Sequence, residues 1–159
     1  MNAKEESMQP SDQAVVHAMT RESLGAGGKL VWDFLSLFAA RRYAEANAFL
    51  APGCAMLFPG GAVFTDCTDL PKRSSAMYRW VKKEFEHIDE FEAENGTVVY
   101  NYGGLRGEWA DGTPFAGIRY IDRFLIRDGR IVDQKVWNDL AVAIAIAKRQ
   151  VPGAYPTKP

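Results

Sequence analysis

Four segments in the second half of the chain alternate apolar and polar residues, with short turns between them. The segments are residues 85–94, 97–109, 115–127 and 130–138. The turns are Asn95-Gly96, Asp111-Gly112 and Asp128-Gly129. Such dipeptides between alternating segments are strong signals for β-hairpins, and strands joined by hairpins pair antiparallel. The pattern therefore predicts an antiparallel sheet of four long strands.

The preceding part of the chain has mostly helical periodicity. We predict three helices there, beginning at Leu30, at Tyr43 and at either Asp69 or Ser74, the last carrying Met77, Trp80, Val81 and Phe85. A short buried strand is predicted over 54–58. Residues 140–146 alternate Ala with Val or Ile and fit either strand or helix, while Asp139 and Lys148 at the two ends favour a helix. This order predicts an α+β fold, in which helices across one face of a curled sheet would enclose a cavity.

Composition excludes several classes of protein. The chain has 159 residues, 47% of them apolar, and its 19 basic residues are balanced by 20 acidic ones. We therefore expect one globular domain over 28–150, with a polar extension over 1–27 and a tail over 151–159, and no nucleic-acid partner. No apolar run is long enough for a membrane span, and the first residues do not resemble a signal peptide, so we expect a cytoplasmic protein. Cys54 and Cys67 are expected to be thiols, and no Cys/His spacing predicts a metal site.

The segment from Gly117 to Val132 resembles the last strands of the NTF2-like superfamily, and especially its SnoaL-like branch. Residues 32–56 are similar to the opening of the same fold, and the resemblance covers about residues 28–148. It implies a cone-shaped barrel with a curved, mostly antiparallel sheet, three helices over the concave face, and a homodimer formed through the outer face. Members of the superfamily include steroid isomerases, polyketide cyclases, dehydratases, epoxide hydrolases, cofactor-free lyases and binding modules. The resemblance implies no metal and no cofactor.

Two sets of family residues are missing from this chain. The positions of the steroid isomerase tyrosine and aspartate correspond to Phe34 and Phe58, which cannot transfer protons. The positions of the epoxide hydrolase triad correspond to Gly104, Arg106 and Val136. An epoxide hydrolase would therefore require a shift of one residue in the register assumed here, which would invert every face. The two phenylalanines instead suggest a hydrophobic or aromatic ligand.

Alternation along residues 115–127 separates a face with Tyr120 and Asp122 from a face with three arginines. We predict that Tyr120 and Asp122 point into the cavity, where burial would raise the pKa of the carboxyl group and suit it to acid/base catalysis. Tyr120 could stabilise an oxyanion, and a Tyr-x-Asp strand is similar to that of SnoaL-like dehydratases. Arg106 is the expected cation for Asp122 if its face is concave, the alternative being a surface pair with a glutamate. His87 is a candidate proton shuttle, the alternative being a solvated residue at a strand end.

A second group of residues is predicted to contact the ligand. The aromatic members are Trp32, Phe34, Phe58, Tyr78, Trp80 and Tyr102, all of which could equally be core residues. Asn138 could add a polar contact at the mouth of the cavity or cap the last helix.

These observations predict a cofactor-independent lyase, dehydratase or isomerase that acts on a small hydrophobic molecule, aromatic or polycyclic. The alternative is a binding or dimerisation module without catalysis. A cavity in which Asp122, Tyr120 and a cation converge would favour the enzyme. An apolar cavity with Asp122 bonded into the scaffold would favour the module.

Overall fold

A computed structural model describes residues 19–148, which form a mixed sheet with helices packed on one face. The helices are α1 (Ala26–Ala39), α2 (Tyr43–Ala46), α3 (Leu70–Ser74) and α4 (Leu140–Ala147). The strands are β1 (Leu50–Phe58), β2 (Ala62–Phe64), β3 (Tyr78–Ala93), β4 (Gly96–Trp109), β5 (Pro114–Arg127) and β6 (Arg130–Asn138). The prediction of an α+β fold is confirmed. The predicted segments 1–27 and 151–159 fall largely outside the described residues, and α1 begins at Ala26, inside the first of them.

The six strands lie in the order β2-β1-β6-β5-β4-β3. Strands β3 to β6 form the predicted antiparallel meander, and β1 pairs parallel to β6. Asp128 and Gly129 both have positive φ angles, 51° and 69°, as a two-residue turn of type I′ requires. Strands β2 and β3 lie at the two edges of the sheet formed by residues 19–148, so this sheet is open and does not close into the barrel that the resemblance implied.

Helices cover one face of the sheet, which we call the inner face. Val31 and Phe34 of α1 pack on Val99 of β4 and Phe124 of β5 in the main apolar core. A second apolar cluster, Leu105, Ile118 and Tyr120, lies under α4, which contacts it through Leu140 and Ala143. The polar residues described below lie on the inner face between these two clusters.

The predicted third helix is wrong beyond its first turns. Helix α3 ends at Ser74, and strand β3 begins at Tyr78. Val81 and Phe85 are four residues apart, which fits a helix, but both also face inward in a strand in which Lys83 lies between them. Because a lysine occupies an inward position, residues 81–85 do not show the alternation of apolar and polar residues that is typical of a strand. The second predicted helix is also shorter than expected, because α2 gives way to a 3-10 turn at Asn47 and β1 already begins at Leu50.

A β-bulge interrupts β3 opposite Gly103, where the register shifts between Phe85 and His87. Any side chain at Gly103 would collide with the backbone carbonyl of Glu84. The glycine therefore allows β3 to approach β4 closely at this point.

No helix within residues 19–148 is long and apolar enough to cross a membrane.

Candidate functional site

Asp122 and Tyr120 lie on the inner face of β5, as their alternation predicted. Asp122 is 0% exposed and Tyr120 is 3% exposed, while the intervening Ile121 faces outward. A bulge near Gly117, whose φ is 71°, shifts the preceding residues so that Phe115 faces inward in place of Ala116. The predicted face is therefore right from Ile118 onward and inverted before the bulge.

The cation beside Asp122 is Lys83 of β3, which the sequence reasoning missed. Its Nζ forms an ion pair with Asp122 Oδ2. Gln134 of β6 donates from Nε2 to the same oxygen at 3.4 Å. The other oxygen, Asp122 Oδ1, is buried and has no hydrogen-bond partner among the described residues. Lys83 keeps 25% of its side chain exposed, whereas the side chain of Asp122 is 0% exposed.

Tyr120 is held by Asn101 of β4, a second residue that the sequence reasoning missed. The Tyr120 hydroxyl donates to Asn101 Oδ1 at 2.8 Å, and Asn101 is 0% exposed. Lys83 Nζ also lies 4.6 Å from the centre of the Tyr120 ring, a cation–π contact. Because the tyrosine proton is engaged by Asn101, the donor available for an oxyanion in this cluster is Lys83. Together, Lys83, Asn101, Tyr120, Asp122 and Gln134 form what we call the buried polar cluster.

Burial shifts the pKa values of both ionisable groups on β5. The pKa of Asp122 is raised because its charged form is desolvated, and the nearby Lys83 ammonium offsets part of this effect. The pKa of Tyr120 is raised by burial and by the Asp122 charge, so the phenol stays protonated. A buried carboxyl group with a raised pKa holds a proton more readily than an exposed one, which is a property of groups that act in acid/base catalysis.

The structure does not bring Arg106 or His87 to this cluster. Arg106 faces outward on β4 and pairs with Glu84 at 2.8 Å, so the predicted contact with Asp122 is wrong. His87 lies within β3 rather than at the end of a helix, and its exposed ring stacks on Tyr102 at 5.2 Å. Tyr102 is therefore an outer-face residue as well. Both faces of β4 carry apolar residues, which is why alternation alone did not identify the inner one.

The other predicted ligand contacts fall into three groups. Trp32 packs edge-on against Phe85 on the inner face, with 5.2 Å between the ring centres. Phe85 follows Lys83 by two residues on the same face of β3. Phe34 is a core residue, 1% exposed, and Phe58 packs against Phe64 at 5.5 Å. The remaining three lie away from the buried polar cluster or have other partners: Tyr78 interacts with Ser74, Trp80 is 40% exposed on β3, and Asn138 Oδ1 accepts the Leu140 N–H at 3.2 Å.

Two open grooves lie at the β1 side of the sheet. One, of about 510 Å³, is lined by residues that include Asn47, Asp66 and Arg130. The other, of about 240 Å³, includes Phe58, Val136 and Trp137. Neither includes a member of the buried polar cluster, although Val136 pairs directly with Asp122 across β5 and β6. A ligand would therefore reach Asp122 only after neighbouring side chains move.

The described residues contain no cluster of three or more His, Cys, Asp or Glu side chains that could hold a metal ion. Cys54 and Cys67 are both buried free thiols, as expected. Burial raises the pKa of Cys54 to about 11 and that of Cys67 to about 12, so neither is a reactive thiolate.

Solved structures with the same architecture cover most of this chain. An NTF2-like protein of unknown function from Burkholderia pseudomallei matches with a TM-score of 0.64 and 14% identity, covering 76% of this chain and 96% of that protein. A candidate polyketide cyclase from Xanthomonas campestris has a TM-score of 0.61 and 20% identity, with 76% and 95% covered. A candidate SnoaL-like polyketide cyclase from a Jannaschia species has a TM-score of 0.58 and 12% identity, with 76% and 90% covered.

No protein-family model and no curated protein matches the sequence. The architecture and these likenesses define the chain as an α+β protein with an open mixed sheet and helices over its inner face. Its fold is that of the NTF2-like proteins, which include SnoaL-like polyketide cyclases. Proteins of this fold differ in chemistry, so function has to be argued from the site.

Proposed function

We propose that the chain is a cofactor-independent lyase, dehydratase or isomerase that performs acid/base chemistry on a small hydrophobic carbonyl compound, aromatic or polycyclic. The observation that carries the proposal is the convergence of three strands on one buried carboxylate. Lys83 and Asp122 supply a cation and a base side by side between two apolar clusters.

In this mechanism, Asp122 removes a proton from a carbon next to the substrate carbonyl. The electron pair of the broken C–H bond moves onto the carbonyl oxygen, and the Lys83 ammonium stabilises the enolate that forms. Asp122 then returns the proton to a different carbon, which gives an isomer. Alternatively, a hydroxyl group on the next carbon leaves with that proton as water, which gives dehydration. Asn101 and Gln134 position Tyr120 and Asp122 and do not exchange protons with the substrate.

Substitution of Asp122 by Asn should abolish turnover while ligand binding remains. A panel of aromatic and polycyclic ketones would be screened by thermal shift, and each hit followed by mass spectrometry with wild type, Asp122→Asn and Arg106→Gln. A bound ligand raises the melting temperature by mass action whether or not it reacts. We expect conversion by wild type and Arg106→Gln and a loss of at least about 100-fold in Asp122→Asn, the scale of general acid–base catalysis. Equal conversion by all three proteins would contradict the proposal.

A second candidate is the binding or dimerisation module without catalysis. The observation that favours it is that Asp122 is already bonded to Lys83 and Gln134 and is closed to solvent. If ligands bind wild type and Asp122→Asn equally and neither protein converts any of them, this second function replaces the first.

We also propose that the protein is a homodimer, formed through the outer face of the sheet. Ile121 and Trp137 are paired across β5 and β6 and are 36% and 49% exposed, with Leu57 and Val63 continuing this apolar patch. Sedimentation should give twice the chain mass of 17.7 kDa. Trp137→Arg should give the monomer mass, while Trp80→Arg on the other edge of the sheet should remain dimeric. A wild-type monomer would refute the homodimer.

Cytoplasmic location remains a prediction from the sequence, to be checked by cell fractionation.

A further inference from the structure

The two oxygens of Asp122 have different surroundings. Oδ2 accepts from Lys83 and from Gln134, whereas Oδ1 has no partner among the described residues although it is completely buried. A buried acceptor without a donor is unfavourable, and more so when it carries charge. A ligand hydroxyl that donates to Oδ1 would remove this penalty. The orphaned oxygen therefore favours a ligand with a hydrogen-bond donor.

Lys83 provides the complementary requirement. An ammonium group has three N–H donors and no acceptor. One donor is used by Asp122 Oδ2, the ammonium lies over the Tyr120 ring, and the described residues offer Nζ no second hydrogen-bond acceptor. At least one donor is available to a ligand oxygen. Because both carboxylate oxygens belong to one group, the acceptor Oδ1 and the donor Nζ are neighbours.

The charges around this pair restrict the ligand further. A carboxylate or phosphate ligand would be repelled by Asp122 at the position where it must contact Oδ1. A cationic amine would be repelled by Lys83. A neutral molecule with a hydroxyl and a carbonyl on adjacent carbons satisfies both groups at once. The flanking clusters around Phe124 and around Ile118 are apolar and suit a hydrocarbon or aromatic frame.

We infer that the site recognises neutral α-hydroxy ketones on an apolar frame, with the hydroxyl donating to Asp122 Oδ1 and the carbonyl accepting from Lys83 Nζ. This inference rests on the proposed function, because it assigns the substrate class of the same site. In that class, the proton that Asp122 removes is the one on the carbon bearing the hydroxyl, and its removal leaves the enolate of the enediol. Return of this proton to the former carbonyl carbon, together with passage of the hydroxyl proton to the other oxygen, gives the isomeric hydroxy ketone.

Three related probes separate the two contacts. Benzoin carries the hydroxyl and the carbonyl, deoxybenzoin lacks the hydroxyl, and diphenylethanol lacks the carbonyl. Dissociation constants would be measured by titration calorimetry with the wild-type protein. A hydrogen bond to a charged group contributes about 1.5–3 kcal/mol, so benzoin should bind at least about tenfold more tightly than either analogue. The ratio of the dissociation constants of the analogues to that of benzoin should be unchanged in Arg106→Gln, because this substitution is on the outer face. In Asp122→Asn, the ratio of the dissociation constants of deoxybenzoin and benzoin should be smaller than in wild type.

Benzoin binding no more tightly than deoxybenzoin and diphenylethanol would overturn the inference, as would the absence of benzoin binding up to its solubility limit. These outcomes do not affect the proposed function, which is tested by proton transfer. Conversely, selective benzoin binding without any proton exchange would support the ligand class and refute the enzyme.

Discussion

Replacement of Lys83 by methionine should lower the free energy of unfolding by about 3 kcal/mol at neutral pH. Removal of one partner of a buried ion pair leaves an uncompensated charge and typically destabilises a protein by about 3–5 kcal/mol. Asp122 is 0% exposed and keeps only the 3.4 Å contact from Gln134 when Lys83 is lost. We expect the lower end of the range because Lys83 itself is 25% exposed and because Asp122 can take up a proton. Urea denaturation monitored by tryptophan fluorescence would measure the change.

The neighbouring residue provides a matched control. Lys82 is exposed on the other face of β3, and Lys82→Met should change the free energy of unfolding by less than about 0.5 kcal/mol. The double variant Lys83→Met with Asp122→Leu removes both charges and should recover much of the lost stability. If Lys83→Met and Lys82→Met are equally stable, the ion pair with Asp122 does not exist in solution.

Substitution of Gly103 by alanine should also cost about 3 kcal/mol of unfolding free energy, because the new methyl group would meet the backbone carbonyl of Glu84 at the bulge in β3. A backbone atom in a paired strand cannot rotate away as a side chain can. Gly104 is the matched control, since a methyl group there comes no closer than 3.8 Å to the Glu84 carboxylate. Gly104→Ala should be within about 1 kcal/mol of wild type, including the gain from a stiffer unfolded chain. Equal stability of the two variants in urea denaturation would mean that β3 is not bulged as described.

Local signals were sufficient for the second half of the fold. The Asn-Gly and Asp-Gly turns and the period of two predicted the meander, and the contrast between Asp122 and the arginines beside it identified the inner face of β5. The small strand β2 and the early start of β1 carry no comparable signal, because they depend on pairing between segments that are distant from the meander in sequence.

The cation of the site was missed for a physical reason. Lys83 occupies an inward position of β3, where an apolar residue is expected. Its charge is compensated by Asp122 of β5, which is separated from β3 in the sheet by β4. Neither residue indicates the other in the sequence. Arg106 was the expected cation only if its face of β4 were concave, and alternation alone does not tell the two faces apart, because the outer face also carries Tyr100 and Tyr102. In fact they stack on Phe91 and His87.

The central claim is that Asp122 transfers a proton at a carbon next to a carbonyl group. The most direct measurement is hydrogen exchange in deuterium oxide, with deoxybenzoin as the probe because its methylene group adjoins the carbonyl and needs no hydroxyl contact. Mass spectrometry would follow deuterium uptake with wild type, Asp122→Asn and Arg106→Gln. We predict rapid uptake with wild type and Arg106→Gln, and uptake at the rate of the protein-free solution with Asp122→Asn. Uptake that is the same with wild type and Asp122→Asn would contradict the assignment of Asp122 as the base.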